Sequence, residues 1–224
     1  MNSNNQDKRC LVLLSGGIDS STALYFMKDS GFSVEGLFID YKHKSRQNER
    51  QSASYMANQL DCLLHITAVP LDQQFFIDAR PFDPPLTQSD VRQQQAGLDI
   101  MLCISHWLLI ASVYCYYLNI PYIALGVTAS DAQRLPKVGW KFVDKISEIM
   151  HDWSGKGPQI LLPLLSKNKQ EVVSIGRDLG VPYDKTWSCL EQGDVHCGGC
   201  AGCKMRRDAL PEAGIIDVMQ YGQT

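Results

Sequence analysis

Residues Ser15, Gly16, Gly17, Ile18, Asp19, Ser20 and Ser21 combine turn-forming and phosphate-binding chemistry in one short string. The string follows the apolar run at residues 11–14 and precedes a helix-like segment, so it reads as a strand-to-helix turn. Two glycines let the backbone turn tightly and approach a ligand without a side-chain clash. The helix that follows offers unpaired N–H groups and the positive end of its dipole to phosphate oxygens. The hydroxyls of Ser15, Ser20 and Ser21 add donors. Asp19 repels phosphate, so its natural use is to hold Mg²⁺ or to order the loop. The string lacks the Lys of a Walker loop and is not G-x-G-x-x-G, which excludes the usual kinase and dinucleotide readings.

A second constellation lies near the C-terminus, where Cys189, Cys197, Cys200 and Cys203 form the pattern C-x7-C-x2-C-x2-C. Such spacing brings four thiolates onto one centre, and Gly198, Gly199 and Gly202 free the backbone to wrap it. Four thiolates suit tetrahedral Zn²⁺ at about 2.3 Å per bond. They also accommodate an iron–sulfur cluster, but the tight spacing and the glycines favour zinc. No base or open coordination position accompanies them, which points to a structural metal. Cys10, Cys62, Cys103 and Cys115 sit inside apolar segments and read as small core residues.

The elements that position these residues alternate. Strands are expected at residues 9–14, 32–39, 63–69, 122–127 and 159–162, and helices at residues 20–30, up to about Leu60, 98–120, 139–151 and 169–179. Alternating strand and helix implies an α/β fold, with a parallel sheet covered on both faces. Residues 70–96 hold four prolines and no periodicity, and read as an irregular insertion or lid. The tail after Ala213 reads as partly loose. Trp107, Tyr114, Tyr116 and Tyr117 should pack the long helix, with His106 a satisfied core histidine, and Trp187 should cover the cysteines. His43 stands out, because it follows the second strand at the face where ligands gather.

The chain has 224 residues, 45% of them hydrophobic and 20% charged, and a formal charge of −3. This fits a compact folded protein of one large domain with a small appendage, and gives no global attraction for nucleic acid or anionic lipid. The basic clusters at residues 42–46 and 204–207 read as local contacts or solvated loops. No secretory signal is visible, and the apolar stretch at residues 98–120 is interrupted by Ser105, His106, Ser112 and Asn119, which makes it a buried helix rather than a membrane span. A cytoplasmic, reducing setting is expected, where clustered cysteines bind metal.

The string SGGIDSS resembles the signature of PP-loop ATP pyrophosphatases, which cleave ATP between its α and β phosphates to form an adenylate. Joined to TWSCLEQGDVHCGGCAGC at residues 186–203, it makes the whole chain resemble the QueC family of 7-cyano-7-deazaguanine synthases. Phe38, Ile39, Asp40 and Tyr41 resemble the family segment after the second strand. Gly126 and Val127, followed by Asp131 and Pro136, resemble its central loop, and PLLSKNKQEVV with Lys169 and Glu171 resembles its PL…KAE helix start.

The resemblance implies a Rossmann-like PP-loop domain over residues 1–186 and a zinc-binding segment over residues 187–224. It implies ATP and Mg²⁺ held by Ser15, Gly16, Gly17, Asp19, Ser20, Ser21, Phe38, Asp40 and Gly126, with Asp19 and Lys169 catalytic, and Zn²⁺ held by Cys189, Cys197, Cys200 and Cys203. The reaction implied activates a small-molecule carboxylate, such as 7-carboxy-7-deazaguanine, and transfers it to ammonia or an amine, giving an amide or a nitrile. A homodimer would be in keeping with it, and so would a protein partner, if the chain serves an antiviral defence cluster.

The departures fall where the acceptor should bind. The family's DYSGYPD stretch becomes residues 131–137, with Lys137 where an acidic base-reader is expected and Arg134 three positions before it. The PNRN stretch has no counterpart at residues 96–102, and DYGQ becomes Asp40-Tyr41-Lys42-His43. Two readings of other classes stand beside the synthetase: a nucleotide-binding scaffold without turnover, and a PP-loop tRNA-sulfurtransferase with catalytic cysteines.

Overall fold

The computed structural model describes residues 8–69, 90–134, 140–155 and 157–222. β1 (Arg9–Leu13) runs into α1 (Ile18–Asp29), then β2 (Ser33–Asp40), α2 (Arg46–Gln59) and β3 (Leu64–Ala68). After α3 (Asp90–Leu118) come β4 (Tyr122–Ala124), the short α4 (Ala129–Arg134), α5 (Lys141–Ser154), β5 (Gln159–Leu161), α6 (Lys169–Asp178) and α7 (Ala201–Glu212). All five strands pair in parallel, in the order β3-β2-β1-β4-β5.

The period of two along β1 explains the layers. Cys10 and Val12 face a core built with Ala23, Leu24, Met56 and Val172, whereas Leu11 faces a second core with Leu37, Leu108, Ile123 and Val143. Helices therefore cover both faces, and the fold is α/β with a Rossmann-like parallel sheet of the PP-loop kind. Strand order reverses between β1 and β4. Loops leaving the carboxyl ends of those two strands diverge there, and open α/β sheets bind ligands in that crevice.

Several expectations need correction. Residues 90–96 belong to α3 rather than to an irregular insertion, and residues 70–89 lie outside the described residues. β4 and β5 stop short, at Ala124 and Leu161. Among the described residues α3 is the one helix long and apolar enough to cross a membrane, over Met101–Leu118. It is not buried all round: Ile104, Leu108, Ala111 and Cys115 pack on the sheet, while Tyr116 and Tyr117 are exposed, the latter at 76%. Among the described residues the buried nitrogen Nε2 of His106 has no hydrogen-bond partner. The C-terminal tail returns to the cysteine segment: the His196 N–H donates to Gln220 O at 3.2 Å, and the Gly222 N–H to His196 O at 2.7 Å.

Candidate active site

The turn after β1 stands at the strand-order reversal. Gly16 has φ of +78°, a conformation that favours glycine, and a Cβ there would lie 2.6 Å from the backbone of Glu49 and Ala53 in α2. Gly17 has extended dihedrals, and a Cβ there would stand 3.4 Å from Trp187 O, at the edge of ordinary contact. Gly17 also caps α1 without any side-chain bond, so the first-turn N–H groups are left to a ligand. Ser15 Oγ and Ser20 Oγ lie 3.0 Å apart, and the Ser15 N–H donates to Ser20 Oγ at 3.2 Å, which closes the turn on itself.

Lys169 reaches this turn from the first position of α6. Its helix start is set by a capping box, in which the Glu171 N–H donates to Asn168 Oδ1 at 2.9 Å and the Asn168 N–H to Glu171 Oε2 at 2.7 Å. Lys169 Nζ then lies 2.6 Å from both carboxylate oxygens of Asp19, 150 positions away in the chain. Gly126, after β4, presses on the same helix start: a Cβ there would lie 2.6 Å from Asp19 O.

Ser15, Gly17, Asp19, Ser20, Phe38, Gly126 and Lys169 thus line one cavity of about 390 Å³. Gly16 and Ser21 stand behind this lining, with Ser21 fully buried and its hydroxyl without a partner among the described residues. Asp40 is not among the lining residues either. Its carboxylate accepts the Lys42 N–H at 2.8 Å and holds that residue at φ +61°, in the left-handed region.

The wall also contains groups to which the sequence assigns no site role. Asp131 lines it and accepts from the Thr128 N–H and hydroxyl at 2.8 and 2.9 Å. Burial raises its pKa, reinforced by the Asp19 charge and opposed by the Thr128 bonds and Lys169. Glu49 lines it from α2, and Trp107 from α3. Arg206, from a run of basic residues readable as a solvated loop, is 1% exposed and donates to Thr186 Oγ1 at 2.7 Å, Tyr183 O at 2.7 Å and Asp217. A partner eleven positions away could not be read from composition. Lys137 lies outside the described residues, and Arg134 ends α4 with its side chain outside them.

The cysteine segment forms another part of the wall. Sγ atoms of Cys189, Cys197, Cys200 and Cys203 all lie within 4.8 Å of one another, and two of the pairs are 4.0 Å apart. A tetrahedral ion with bonds of about 2.3 Å separates its sulfurs by roughly 3.8 Å, so the four fit a single metal ion. The Cys197 N–H donates to Cys189 Sγ and the Cys200 N–H to Cys197 Sγ, each at 3.3 Å. Burial opposes the Cys197 thiolate, but N–H donors from Cys200 and Gly199 and the neighbouring thiols outweigh it and bring the pKa down to about 7. Burial pushes the Cys203 thiol up, as expected of a ligand without its metal charge. Trp187 packs against Cys189 and Cys203, and its ring N–H donates to Cys189 O at 2.8 Å. Its backbone N–H donates to Gly16 O at 3.0 Å, so the cysteine segment is tied directly to the phosphate-type turn.

Against this geometry the relatives can be placed. The family profile described as queuosine biosynthesis protein QueC matches residues 9–214. A 7-cyano-7-deazaguanine synthase from Methanosphaerula palustris is 31% identical over 230 residues, covering 95% of this chain and 99% of the relative. One from Nostoc punctiforme is 29% identical over 234 residues, covering 95% and 99%. Among solved structures, the NMN synthetase from Francisella tularensis aligns with a TM-score of 0.51 at 18% identity, covering 93% of this chain and 82% of that one. The U34-tRNA thiolase NcsA from Methanococcus maripaludis, with its 4Fe-4S cluster, aligns with a TM-score of 0.54 at 12% identity, covering 93% and 69%. At such identities the two structures speak to the fold alone. The sequence match runs nearly end to end, and by it the chain belongs to the QueC family.

Proposed function

We propose that this chain uses ATP to adenylate a carboxylic acid, 7-carboxy-7-deazaguanine or a relative of it, and passes the acyl group to ammonia or an amine. The observation that carries the reading is the meeting of an uncapped helix start, paired serine hydroxyls and the Lys169–Asp19 ion pair in one cavity at the strand-order reversal. These groups suit a triphosphate whose α-phosphorus is attacked by a carboxylate. Ser15, Gly16, Gly17, Asp19, Ser20 and Ser21 would cradle the phosphates, with Phe38, Asp40 and Gly126 shaping the nucleotide wall. Catalysis here is positioning and charge stabilisation rather than covalent chemistry. Lys169 neutralises Asp19 in the free protein, and phosphate oxygens would compete for that ammonium. Mg²⁺, when bound, would supply a charge that offsets the developing negative charge of the departing pyrophosphate, and Asp19 would hold it.

Residues 187–224 would form the zinc-binding segment. Sulfurs 4.0 Å apart favour a single ion over an iron–sulfur cluster, whose interposed irons and sulfides hold thiolates farther apart. Its place is structural, bracing the turn through Trp187. The relatives named 7-cyano-7-deazaguanine synthases support the acid and ammonia as substrates. The sequence departures at Arg134 and Lys137 support a reaction that stops short of efficient nitrile formation.

The test is direct. The protein is incubated with ATP, Mg²⁺, ammonium and 7-carboxy-7-deazaguanine, and AMP, pyrophosphate and acyl products are followed by mass spectrometry. Acid-dependent AMP and pyrophosphate formation is expected. Its absence would leave a nucleotide-binding scaffold and remove the synthetase reading.

A further inference from the structure

Among the described residues four carboxylates line the cavity, those of Asp19, Glu49, Asp131 and Glu191, and three of them are engaged. Asp19 meets Lys169 Nζ with both oxygens at 2.6 Å. Glu49 Oε1 accepts from Ser45 Oγ at 2.6 Å, and Oε2 lies 2.9 Å from His43 Nε2. Glu191 Oε2 accepts from Lys44 Nζ at 2.7 Å, in a pair exposed on both sides. Asp131 differs. Its Oδ2 accepts the Thr128 N–H and hydroxyl, whereas Oδ1 has no hydrogen-bond partner among the described residues and is not sealed from the cavity.

The loop that carries Asp131 is held in place. Thr128 is buried, and the Ala129 N–H donates to Lys167 O at 2.9 Å, which ties the loop to the residues just before Lys169. β1 lies between β2 and β4 in the sheet. With the nucleoside toward Phe38 at β2 and the phosphates on the turn after β1, the side of β4 is left to the acyl group, and Asp131 comes from that side. Burial raises its pKa against the Thr128 bonds, so the carboxylate takes a proton more readily than an exposed aspartate.

We propose that Asp131 Oδ1 takes the proton from the ammonia or amine that attacks the acyl adenylate; this rests on the function proposed above. The nitrogen lone pair forms a C–N bond as the carbonyl opens, and the nitrogen becomes cationic. Its proton passes to Asp131 Oδ1 and from there to solvent. When the carbonyl re-forms, the C–O bond to the phosphate breaks, and AMP leaves with that electron pair. Oδ2 stays on Thr128 throughout, which keeps the open oxygen aimed at the incoming nitrogen. Asp131 is the catalytic residue in this step.

The two half-reactions separate the claims. Acid-dependent ATP–pyrophosphate exchange, with 7-carboxy-7-deazaguanine as probe, reads adenylation alone. Amide formation after ammonium chloride is added to preformed adenylate reads aminolysis. Asp131→Asn keeps an oxygen for both Thr128 donors but cannot take a proton. Exchange should survive in D131N while aminolysis falls about 10²–10⁴-fold. A merely structural role would not divide the two. Unchanged aminolysis in folded D131N would overturn the proposal, and so would equal loss of both half-reactions. If D131N does not fold, Asp131→Ala decides: sodium formate should enter the space left by the carboxylate and restore part of the aminolysis, and no restoration would overturn the proposal. No exchange in the unmodified protein would remove the proposed function and this step with it.

Discussion

Arg206→Met should be among the most damaging single substitutions in the chain. The Arg206 side chain is 1% exposed and that of Asp217 8% exposed, with Nη2 to Oδ1 at 3.1 Å and Nε to the two carboxylate oxygens at 3.2 and 3.1 Å. Removing one partner strands a buried carboxylate, which costs about 3–5 kcal/mol. For a chain of this size each kcal/mol moves the Tm by about 2–4 °C, giving a fall of roughly 6–20 °C. Thermal and urea unfolding of R206M measure it directly. Nucleotide affinity should fall as well, because Arg206 holds Thr186, the neighbour of the Trp187 N–H that binds Gly16 O. The acid limb supplies a second reading. Burial opposes ionisation of Asp217, but Arg206 and Tyr221 outweigh it and hold its pKa below the usual carboxylate value. The stability this adds is complete above the unfolded value, about 3.9, and is lost as pH falls through the folded one. R206M should therefore show a weaker loss of stability on acidification across that window. Arg206→Met with Asp217→Leu should recover part of the loss. A change below about 1 kcal/mol in R206M, or a double variant no better than the single, would refute the account.

Asp19→Ala should lower AMP and pyrophosphate formation by at least about 10²-fold. The Asp19–Lys169 pair is about a quarter exposed on each side, so stability should fall by only roughly 0.2–1 kcal/mol; unchanged turnover would exclude the loop from the reaction. Elemental analysis should find one zinc per chain, lost in Cys197→Ser or Cys200→Ser with a marked fall in Tm, because binding energy is folding energy in such sites. A brown, iron-containing protein would contradict that assignment. Conversion of 7-carboxy-7-deazaguanine to the free nitrile should be poor, with the acid still adenylated, and Lys137→Asp should shift binding toward the guanine-like base; efficient nitrile synthesis by the unmodified protein would reverse this reading.

What was legible in the sequence was local. SGGIDSS announces its turn because glycine conformation and a helix start are properties of neighbouring residues, and four cysteines within fifteen positions announce their own convergence. The strands of β1 and β2 were readable from apolar runs, since both faces are buried. What escaped was set by distance in the chain. Arg206 looked like one more charge in a basic run, and only Asp217 and the carbonyl of Tyr183 show that it is a buried strut. Glu35, a carboxylate in buried β2, finds its partners Arg9 and His65 on the adjacent strands, a pairing that the order of the sheet decides. His43 was noticed for its place after β2, while its link to Glu49 depends on how the connection folds back on α2.

The bond from the Trp187 N–H to Gly16 O has a consequence for how the protein comes into being. A ribosome delivers residue 16 long before residue 187, and contacts between such distant positions are the slow ones to form. The sheet can be laid down from β1 through β5 as the chain emerges, yet the turn after β1 gains its brace only when the segment around Trp187 has emerged and its cysteines have gathered. A nascent chain therefore carries every residue of the phosphate-type turn while lacking the support that shapes it. Chains truncated before residue 187 would share that defect, so the competence of this turn reports that the cysteine segment has been made.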